Sequence, residues 1–537
     1  MTETIQKKLN DSAAMRWTAL VLVASMMFFG YMFVDVMSPL QSLIEQERGW
    51  SPDVFGTYAA GEYILNVFGF LIVAGIILDK CGIRFTGELS ASMMFIGACI
   101  KYYAISDSFA STGLAHWLDS WWTSMPASAK LASFGFMIFG CGCEMAGTTV
   151  SKAIAKWFKG KEMALAMGLE MAIARVGVFA IFSISPIIAE KMGTVSAPVG
   201  FCTALLFIGL ITFSVFCVMD RKLDRQLGIS GNGGDSEEEF KASDLKNILT
   251  SRIFWVVALL CVLYYSAIFP FQKYAVNMLQ CNLSFTTVDP NSFWATNTVT
   301  IIQYCIMLVV AAASFASNFS KKKSMKNGLL VLAIVALVVF CYMGYMRQSA
   351  ETVFAVFPLL AVGITPILGN YVDHKGKAAS MLVLGSILLI ACHLTFAFVL
   401  PAFKSSPVGG IFIAYLTILV LGASFSLVPA ALWPSVPKLV DAKIIGSAYA
   451  LIFWIQNIGL WLFPMLIGKV LDNTNPDLVE KLNNGLITPE EAAVSYNYTA
   501  PLVMLASLGV AALILGFVLK AVDKKKGLGL EEPNIKE

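Results

Sequence analysis

Gly75-Ile-Ile-Leu-Asp79-Lys-Cys-Gly82-Ile-Arg84 and Gly369-Asn-Tyr-Val-Asp373-His-Lys-Gly376-Lys377 carry one pattern twice: glycine, acid and glycine at the same spacing, closed by a base. Each copy ends one apolar run and leads straight into the next. The glycines permit a tight turn and a close approach of two helices. The acid can accept hydrogen bonds or face a helix N-terminus, and the base can answer it. One copy would be a weak signal, since many short loops read this way. Two copies at corresponding places make an internal repeat, and they divide the chain into two halves.

Working outward, the surrounding runs are too apolar for water. Of 537 residues, 57% are hydrophobic and only 14% charged, against roughly 25% charged in a soluble domain. Several runs of 18 or more apolar residues lack a polar face, so the solvent must be lipid. The runs predict fourteen membrane-spanning helices, near 17–39, 54–78, 86–106, 131–154, 163–189, 198–219, 253–276, 295–317, 327–346, 353–372, 379–400, 409–432, 444–470 and 499–521. The expected fold class is an all-α polytopic membrane bundle. The eleven cysteines are scattered, most inside apolar runs, and no spacing resembles a disulfide framework or a zinc site. Lys7, Lys8 and Arg16 precede the first run, which reads as a retained span and not as a removed signal peptide.

An even number of spans puts both termini on one side, and the positive-inside rule makes it the cytoplasm. With that orientation roughly 28 of the 38 Lys and Arg fall inside, about nine fall outside, and Arg175 falls mid-span. The inner set includes Lys80, Lys152, Lys156, Lys159, Lys161, Lys321–Lys323, Lys326, Lys375, Lys438, Lys443 and Lys524–Lys526. A polar cytoplasmic linker, 220–250, with Gly-Asn-Gly-Gly and a run of acids, separates an N-terminal half (1–219) from a C-terminal half (251–521); 522–537 form a cytoplasmic tail. Two outer loops read as architecture: 114–124 with Trp117, Trp121 and Trp122 at headgroup level, and 488–495 with a Thr-Pro-Glu-Glu helix start.

A charge at the centre of a bilayer is costly and usually faces a cavity or a partner. Glu144 lies near the middle of the fourth span, in Gly140-Cys-Gly-Cys-Glu-Met-Ala-Gly147. Arg175 lies near the middle of the fifth, in Met171-Ala-Ile-Ala-Arg-Val-Gly177. A short loop joins these spans, so they are antiparallel neighbours with both charges at one depth. Two readings stay open. The pair is an internal ion pair, or it is an amphoteric site in which Glu144 holds an ammonium and Arg175 a carboxylate, which its planar fork fits.

Other polar intrusions are weaker. Asp35 near the outer end of span one either lines a cavity or caps a helix. Glu62 and Glu170 are either proton carriers or solvated helix edges. Lys273 sits near the outer end of its span, and His393 reads as packing. Pro429-Ala-Ala-Leu-Trp433-Pro434 breaks a helix at its inner end, which puts Trp433 beside the path. Gln456 and Asn457 sit mid-span and need partners. Tyr264 and Tyr265 mark a Pro-bent seventh span.

The paired loops resemble the signature loops of the major facilitator superfamily, between helices two and three and again between eight and nine. The resemblance implies twelve core helices in two six-helix halves and alternating access. It makes Asp79, Gly82, Arg84, Asp373 and Lys377 gating residues, and it leaves 295–346 as an inserted two-helix hairpin. Further stretches resemble one branch of that superfamily, the lysosomal dipeptide transporters and their bacterial relatives. These are Phe139-Gly-x-Gly-x-Glu144, Trp157-Phe-Lys-Gly-Lys-Glu162, Ala174-Arg175-x-Gly177, Tyr264-Tyr-x-x-x-Phe-Pro-Phe271, Ala431-Leu-Trp-Pro434 and Gln456-Asn-x-Gly459. In that branch a glutamate and an arginine at the Glu144 and Arg175 positions hold the two peptide termini, and the tryptophan of Leu-Trp-Pro falls at Trp433. Transport there is without ion coupling. This chain departs in its extra hairpin, in Glu170, and in an N-terminal stretch without an acidic-dileucine signal, which favours a bacterial inner membrane over a lysosome.

The implied function is secondary transport of a small zwitterion, a dipeptide in the first place. The alternative is an organic anion carrier of monocarboxylate type on the same fold, using Arg175 alone, possible also with proton coupling. With three histidines and no nucleophile–base pair, the chain does not read as an enzyme. A channel is disfavoured by the repeat, while a non-transporting receptor on this fold stays open. The expected partners are the small-molecule cargo and the lipid bilayer. No nucleic acid, cofactor or metal is expected, and a monomer is.

Overall fold

The computed structural model describes residues 8–159, 161–227, 248–286, 288–289, 291–320, 322–439 and 445–533. Most of the 220–250 linker, together with Gly160, Lys321, Lys443 and the last four residues of the tail, lies outside the described residues. All regular structure among those described is helical. The principal helices are α1 (Ala13–Asp35), α2 (Pro52–Ala60), α3 (Phe70–Ala104), α4 (Ala127–Trp157), α5 (Met163–Met192), α6 (Ser196–Leu227) and α7 (Arg252–Asn282). They continue with α8 (Asn297–Phe319), α9 (Lys323–Met346), α10 (Ala350–Lys375), α11 (Ala378–Leu394), α12 (Pro407–Ser435), α13 (Ile445–Thr474) and α14 (Thr499–Lys526).

Among the described residues, twelve helices are singly long and apolar enough to cross a membrane. A bent pair, Pro52–Val67 and Phe70–Ala104, which meet at 51°, is long and apolar enough only when its two helices are taken together. Two of the fourteen expected spans, 54–78 and 86–106, fall on this pair. The helix continues through most of the first signature loop and is interrupted there only at Gly82, with φ 77 and ψ 174. Gly376 in the second loop has φ 71. The two copies of the repeat thus share a left-handed glycine, a conformation that a Cβ disfavours.

The chain forms two compact units. The first comprises Met1–Val36, Gly61–Val178 and Thr194–Glu239; the second comprises Met37–Ala60, Phe179–Gly193 and Phe240–Glu537. In the first unit α3 packs along α4, and α6 along both α1 and α3. The α3–α4 contact is close because glycine faces glycine. A Cβ on Gly97 would lie 2.4 Å from the Gly135 carbonyl oxygen, and one on Gly135 2.6 Å from that of Gly97. Small residues at a crossing let backbones touch where lipid supplies no hydrophobic drive. At one end Arg16 pairs with Glu162 at 3.0 Å and Lys161 with Asp11 at 3.0 Å. The Lys161 ammonium, helped by the Lys8 amide, holds the Asp11 carboxyl below its usual range.

In the second unit α7 packs on α13, α11 lies against α12 and α14, and α8 packs on α9 and α10. Polar ties bind the 37–60 segment to this unit. Tyr496 donates to Glu45 at 2.6 Å, and Ser42 to Gln280 at 2.6 Å, which in turn donates to Glu351 at 3.1 Å. The Tyr274 hydroxyl lies 3.0 Å from the carbonyl oxygens of both Pro52 and Pro464.

After α14 the chain turns at Gly527 and folds back onto the second signature loop. The amides of Lys377 and Ala378 donate to the carbonyls of Glu531 and Leu530. The Glu531 carboxylate accepts from the Ser380 amide at 2.7 Å and the Ser380 hydroxyl at 2.8 Å. Lys438 donates to the carbonyls of Gly529 and Glu532. Since Lys377, the residue before α11, offers no side-chain cap, Glu531 caps α11 from 151 residues away. Loss of a cap costs about 1 kcal/mol, a factor of about 5 in a local equilibrium. Glu531→Ala is therefore expected to speed amide exchange at Ala378–Ser380 by about that factor, as hydrogen-exchange mass spectrometry will read.

Candidate functional site

Arg175 reaches its place through a close contact of α5 with α1. A Cβ on Gly177 would lie 2.7 Å from the Phe28 carbonyl oxygen. Three residues beyond Phe28, nearly one turn, comes Tyr31, and the Arg175 guanidinium sits 5.8 Å from the centre of its ring. α4 approaches the same stretch of α1, since a Cβ on Gly30 would lie 3.9 Å from the Cys143 sulfur. Glu144 follows Cys143. The Tyr31 hydroxyl therefore feels the charges of Arg175, Glu144 and Glu170 together. Tyr31, Glu144, Glu170 and Arg175 are all half-buried. A cation on an aromatic face is worth about 0.5–2 kcal/mol.

A second acid closes on Glu144 from the broken span. The carbonyl oxygen of Glu62 lies where a Cβ on Gly140 would be, 1.9 Å away, and the Glu62 charge acts on Glu144. Asp35 is 2% exposed at the end of α1, and it joins Glu62 and Glu144 within electrostatic reach of the Tyr63 hydroxyl. Asp35, Glu62, Glu144, Glu170 and Arg175 thus lie in one neighbourhood of the first unit.

Trp433 centres an aromatic group in the second unit. It stacks on Phe453 at 4.8 Å, stands edge-on to Tyr265 at 6.3 Å and meets Tyr449 at 5.9 Å. Its indole nitrogen donates to the Tyr265 hydroxyl at 3.2 Å, and Tyr449 donates to its carbonyl at 2.9 Å. Tyr264, the neighbour of Tyr265, points elsewhere. It is fully buried, and its hydroxyl meets the Leu382 carbonyl and the Ser386 hydroxyl, tying α7 to α11. Gln456 accepts from the Cys261 thiol at 3.3 Å, and Asn457 donates to the Phe453 carbonyl at 3.0 Å. His393 is packed against Phe271, with Nε2 3.1 Å from the Ala267 carbonyl.

In the first signature loop, Asp79 accepts from Lys152 at 2.7 Å. Arg84 turns to α6, where it pairs with Asp220 at 3.0 Å and with Asp224. Lys156 joins both acids, and the Trp157 indole donates to Asp220 at 3.0 Å. Asp373 is half-buried in α10, and Lys377 has φ 71. The sequence reading missed Asp220 and Asp224, which look like the acidic start of a solvated linker. It also missed Lys101, which is 0% exposed with Nζ 4.3 Å from the Phe33 ring and 4.2 Å from that of Phe136. Tyr31 was hidden among the aromatic residues of its own span. No group of three or more metal-ligating side chains occurs among the described residues.

Residues 20–351 match the sequence profile of the Major Facilitator Superfamily. This chain belongs to the major facilitator superfamily. It is accordingly a multi-pass membrane transporter of small molecules and not an enzyme. Among curated proteins, this major facilitator chain is 23% identical over 474 residues to the lysosomal dipeptide transporter MFSD1 of Homo sapiens, covering 86% of this chain and 81% of that one. The Bos taurus MFSD1 is 24% identical over 473 residues, covering 86% and 80%. Among solved structures, a bacterial homologue of the human lysosomal transporter Spinster superposes with TM-score 0.61 at 11% identity, covering 96% of this chain and 98% of that one. A bacterial homologue of the human drug peptide transporters PepT1 and PepT2 gives 0.56 at 12%, covering 95% and 99%. The superpositions show that the chain shares the fold of these transporters.

Proposed function

We propose that this transporter carries small zwitterions, dipeptides above all, by alternating access. Glu144 binds the cargo ammonium and Arg175 its carboxylate. The observation that carries this reading is the shared neighbourhood of Glu144 and Arg175 beside Tyr31, opposite charges within a helical membrane bundle. The dipeptide specialisation of the MFSD1 relatives supports it. Trp433, Tyr265, Gln456 and Asn457 of the second unit and Asp35 of the first belong to the cargo-contacting set of this reading, while Tyr264 packs α7 on α11. Asp79, Gly82, Arg84, Asp373 and Lys377 gate the cytoplasmic side as the halves 1–219 and 251–521 rock about the 220–250 linker.

Fourteen crossings belong to the same reading. The 35 residues of α3 would reach about 52 Å as one rod against a hydrocarbon core of about 30 Å. Its break at Gly82, flanked by Asp79, Lys80 and Arg84, therefore marks a return into the bilayer. α8 and α9 then form a hairpin inserted into the twelve-helix core. The charge asymmetry supports cytoplasmic termini, and a bacterial inner membrane is the location this reading takes.

The test is thermal stabilisation of the purified protein by dipeptides, free amino acids and simple carboxylates. At a hundred times its Kd a cargo stabilises the folded state by about 2.7 kcal/mol. Dipeptides are expected to raise the melting temperature, and acetate or lactate to leave it unchanged. Equal stabilisation by simple carboxylates would make this an organic anion carrier instead.

A further inference from the structure

The span that carries Glu62 is broken, and the break is polar. After α2 the chain runs through a 3-10 turn, Gly61–Tyr63, a single helical turn, Ile64–Val67, and Gly69 with φ 97 before α3 begins. The two arms meet at 51°. Discontinuous helices in secondary transporters free backbone and polar groups, and such groups are tolerated at membrane depth only inside protein or along a cavity.

Asn66 sits in that single turn. It is 1% exposed, and neither its Nδ2 nor its Oδ1 meets a hydrogen-bond partner among the described residues. A side-chain amide offers two donors and an acceptor, and stripping it of water without replacement is costly. The turn Ile64–Val67 packs against α4. Gly61 lies against Ser133, and the carbonyl of Glu62 lies against Gly140, one turn before Glu144. Asn66 is about one turn beyond Glu62, and Glu144 is one turn beyond Gly140. Tyr63, three residues before Asn66, lies within electrostatic reach of Glu144, so the turn that carries Asn66 follows directly on the stretch that meets the Glu144 region of α4.

We propose that Asn66 is a further cargo-binding residue, and that its amide pairs with the peptide group between the cargo's charged ends. The inference rests on the zwitterion reading of Glu144 and Arg175 and adds what that pair lacks. Two opposite charges hold an amino acid as readily as a dipeptide. A peptide group presents one N–H and one C=O, which the Asn66 Oδ1 and Nδ2 complement. A free amino acid has no such group, so Asn66 sets the preference for dipeptide over amino acid.

The test is the thermal response of the full chain to alanylalanine and to free alanine, in wild type, Asn66→Leu and Asn66→Ala. Leucine keeps the volume of asparagine and removes both polar atoms, and alanine covers the case in which leucine does not pack. Without cargo, Asn66→Leu is expected to melt at or above the wild-type temperature, because an unpaired buried amide has gone. With cargo, both variants are expected to lose roughly tenfold in affinity for alanylalanine, the worth of one hydrogen-bonded contact, and nothing for alanine. An ester analogue of alanylalanine, lacking the peptide N–H, is expected to bind wild type more weakly than the dipeptide and both variants equally. Unchanged preference for alanylalanine over alanine in the variants overturns the proposal and leaves the amide a structural role. A wild type that answers to no dipeptide overturns the reading of Glu144 and Arg175 first, and Asn66 with it.

Discussion

Arg175→Ala is expected to weaken dipeptide binding at least ~30-fold, since truncating one member of a buried charge pair costs about 2–5 kcal/mol and every 1.4 kcal/mol is tenfold. Arg175→Lys is expected to recover little of this. A lysine ammonium lacks the planar fork that meets both carboxylate oxygens. Glu144→Gln keeps shape and removes charge, so the expected loss is smaller, about tenfold, the value of one charge-assisted hydrogen bond. Blocking the cargo tests the assignment chemically. An N-acetylated dipeptide should bind wild type as weakly as the free dipeptide binds Glu144→Gln, and the variant should not weaken it further. A C-terminal amide should show the same equality with Arg175→Ala. Such non-additivity is the mark of two groups that touch each other. Isothermal titration in detergent reads all four combinations. Additive losses would show that Glu144 and Arg175 support the bundle without contacting the cargo ends.

Asp220→Asn is expected to lower the stability of the folded protein by about 2–3 kcal/mol and to remove most transport. Its carboxylate is 1% exposed and meets Arg84, Lys156 and the Trp157 indole. Breaking a fully buried ion pair costs about 3–5 kcal/mol. Here the loss is smaller, because Asp224 still faces both cations and asparagine can still accept from the indole. Adding Lys156→Met to Asp220→Asn should restore part of the stability, because one uncompensated charge is removed. Transport should not return with it if Arg84 is a gating residue, since Arg84 keeps only one of its two carboxylate partners. Melting curves and uptake into proteoliposomes separate the two effects. A variant as stable as wild type would mean that water already screens this cluster.

The tail illustrates why part of this was illegible. Glu531 caps α11 and the backbone of 529–532 takes the Lys438 ammonium, yet in sequence the stretch reads as polar residues after a last span. The same holds for Asp220 and Asp224, whose partners lie more than 60 residues away. Trp433 and Tyr265 were named separately as polar or aromatic intrusions, and only the fold shows them in hydrogen-bond contact while turning Tyr264 to another helix.

Hydropathy, the paired Gly-Asp-Gly loops and the placement of lysine and arginine are properties of single residues along a line. From them alone follow a helical membrane bundle, its two halves and the two charges stranded at mid-depth. Which residues meet across the bundle depends on how each helix is rotated about its axis. In water an apolar stripe reports that rotation. In lipid both the core face and the outer face are apolar, so the rotation leaves no trace in the pattern. The bend at Gly69, the seating of Arg175 on Tyr31 and the approach of Glu62 to Gly140 were therefore decided by packing between helices, where a glycine on one side admits a backbone on the other.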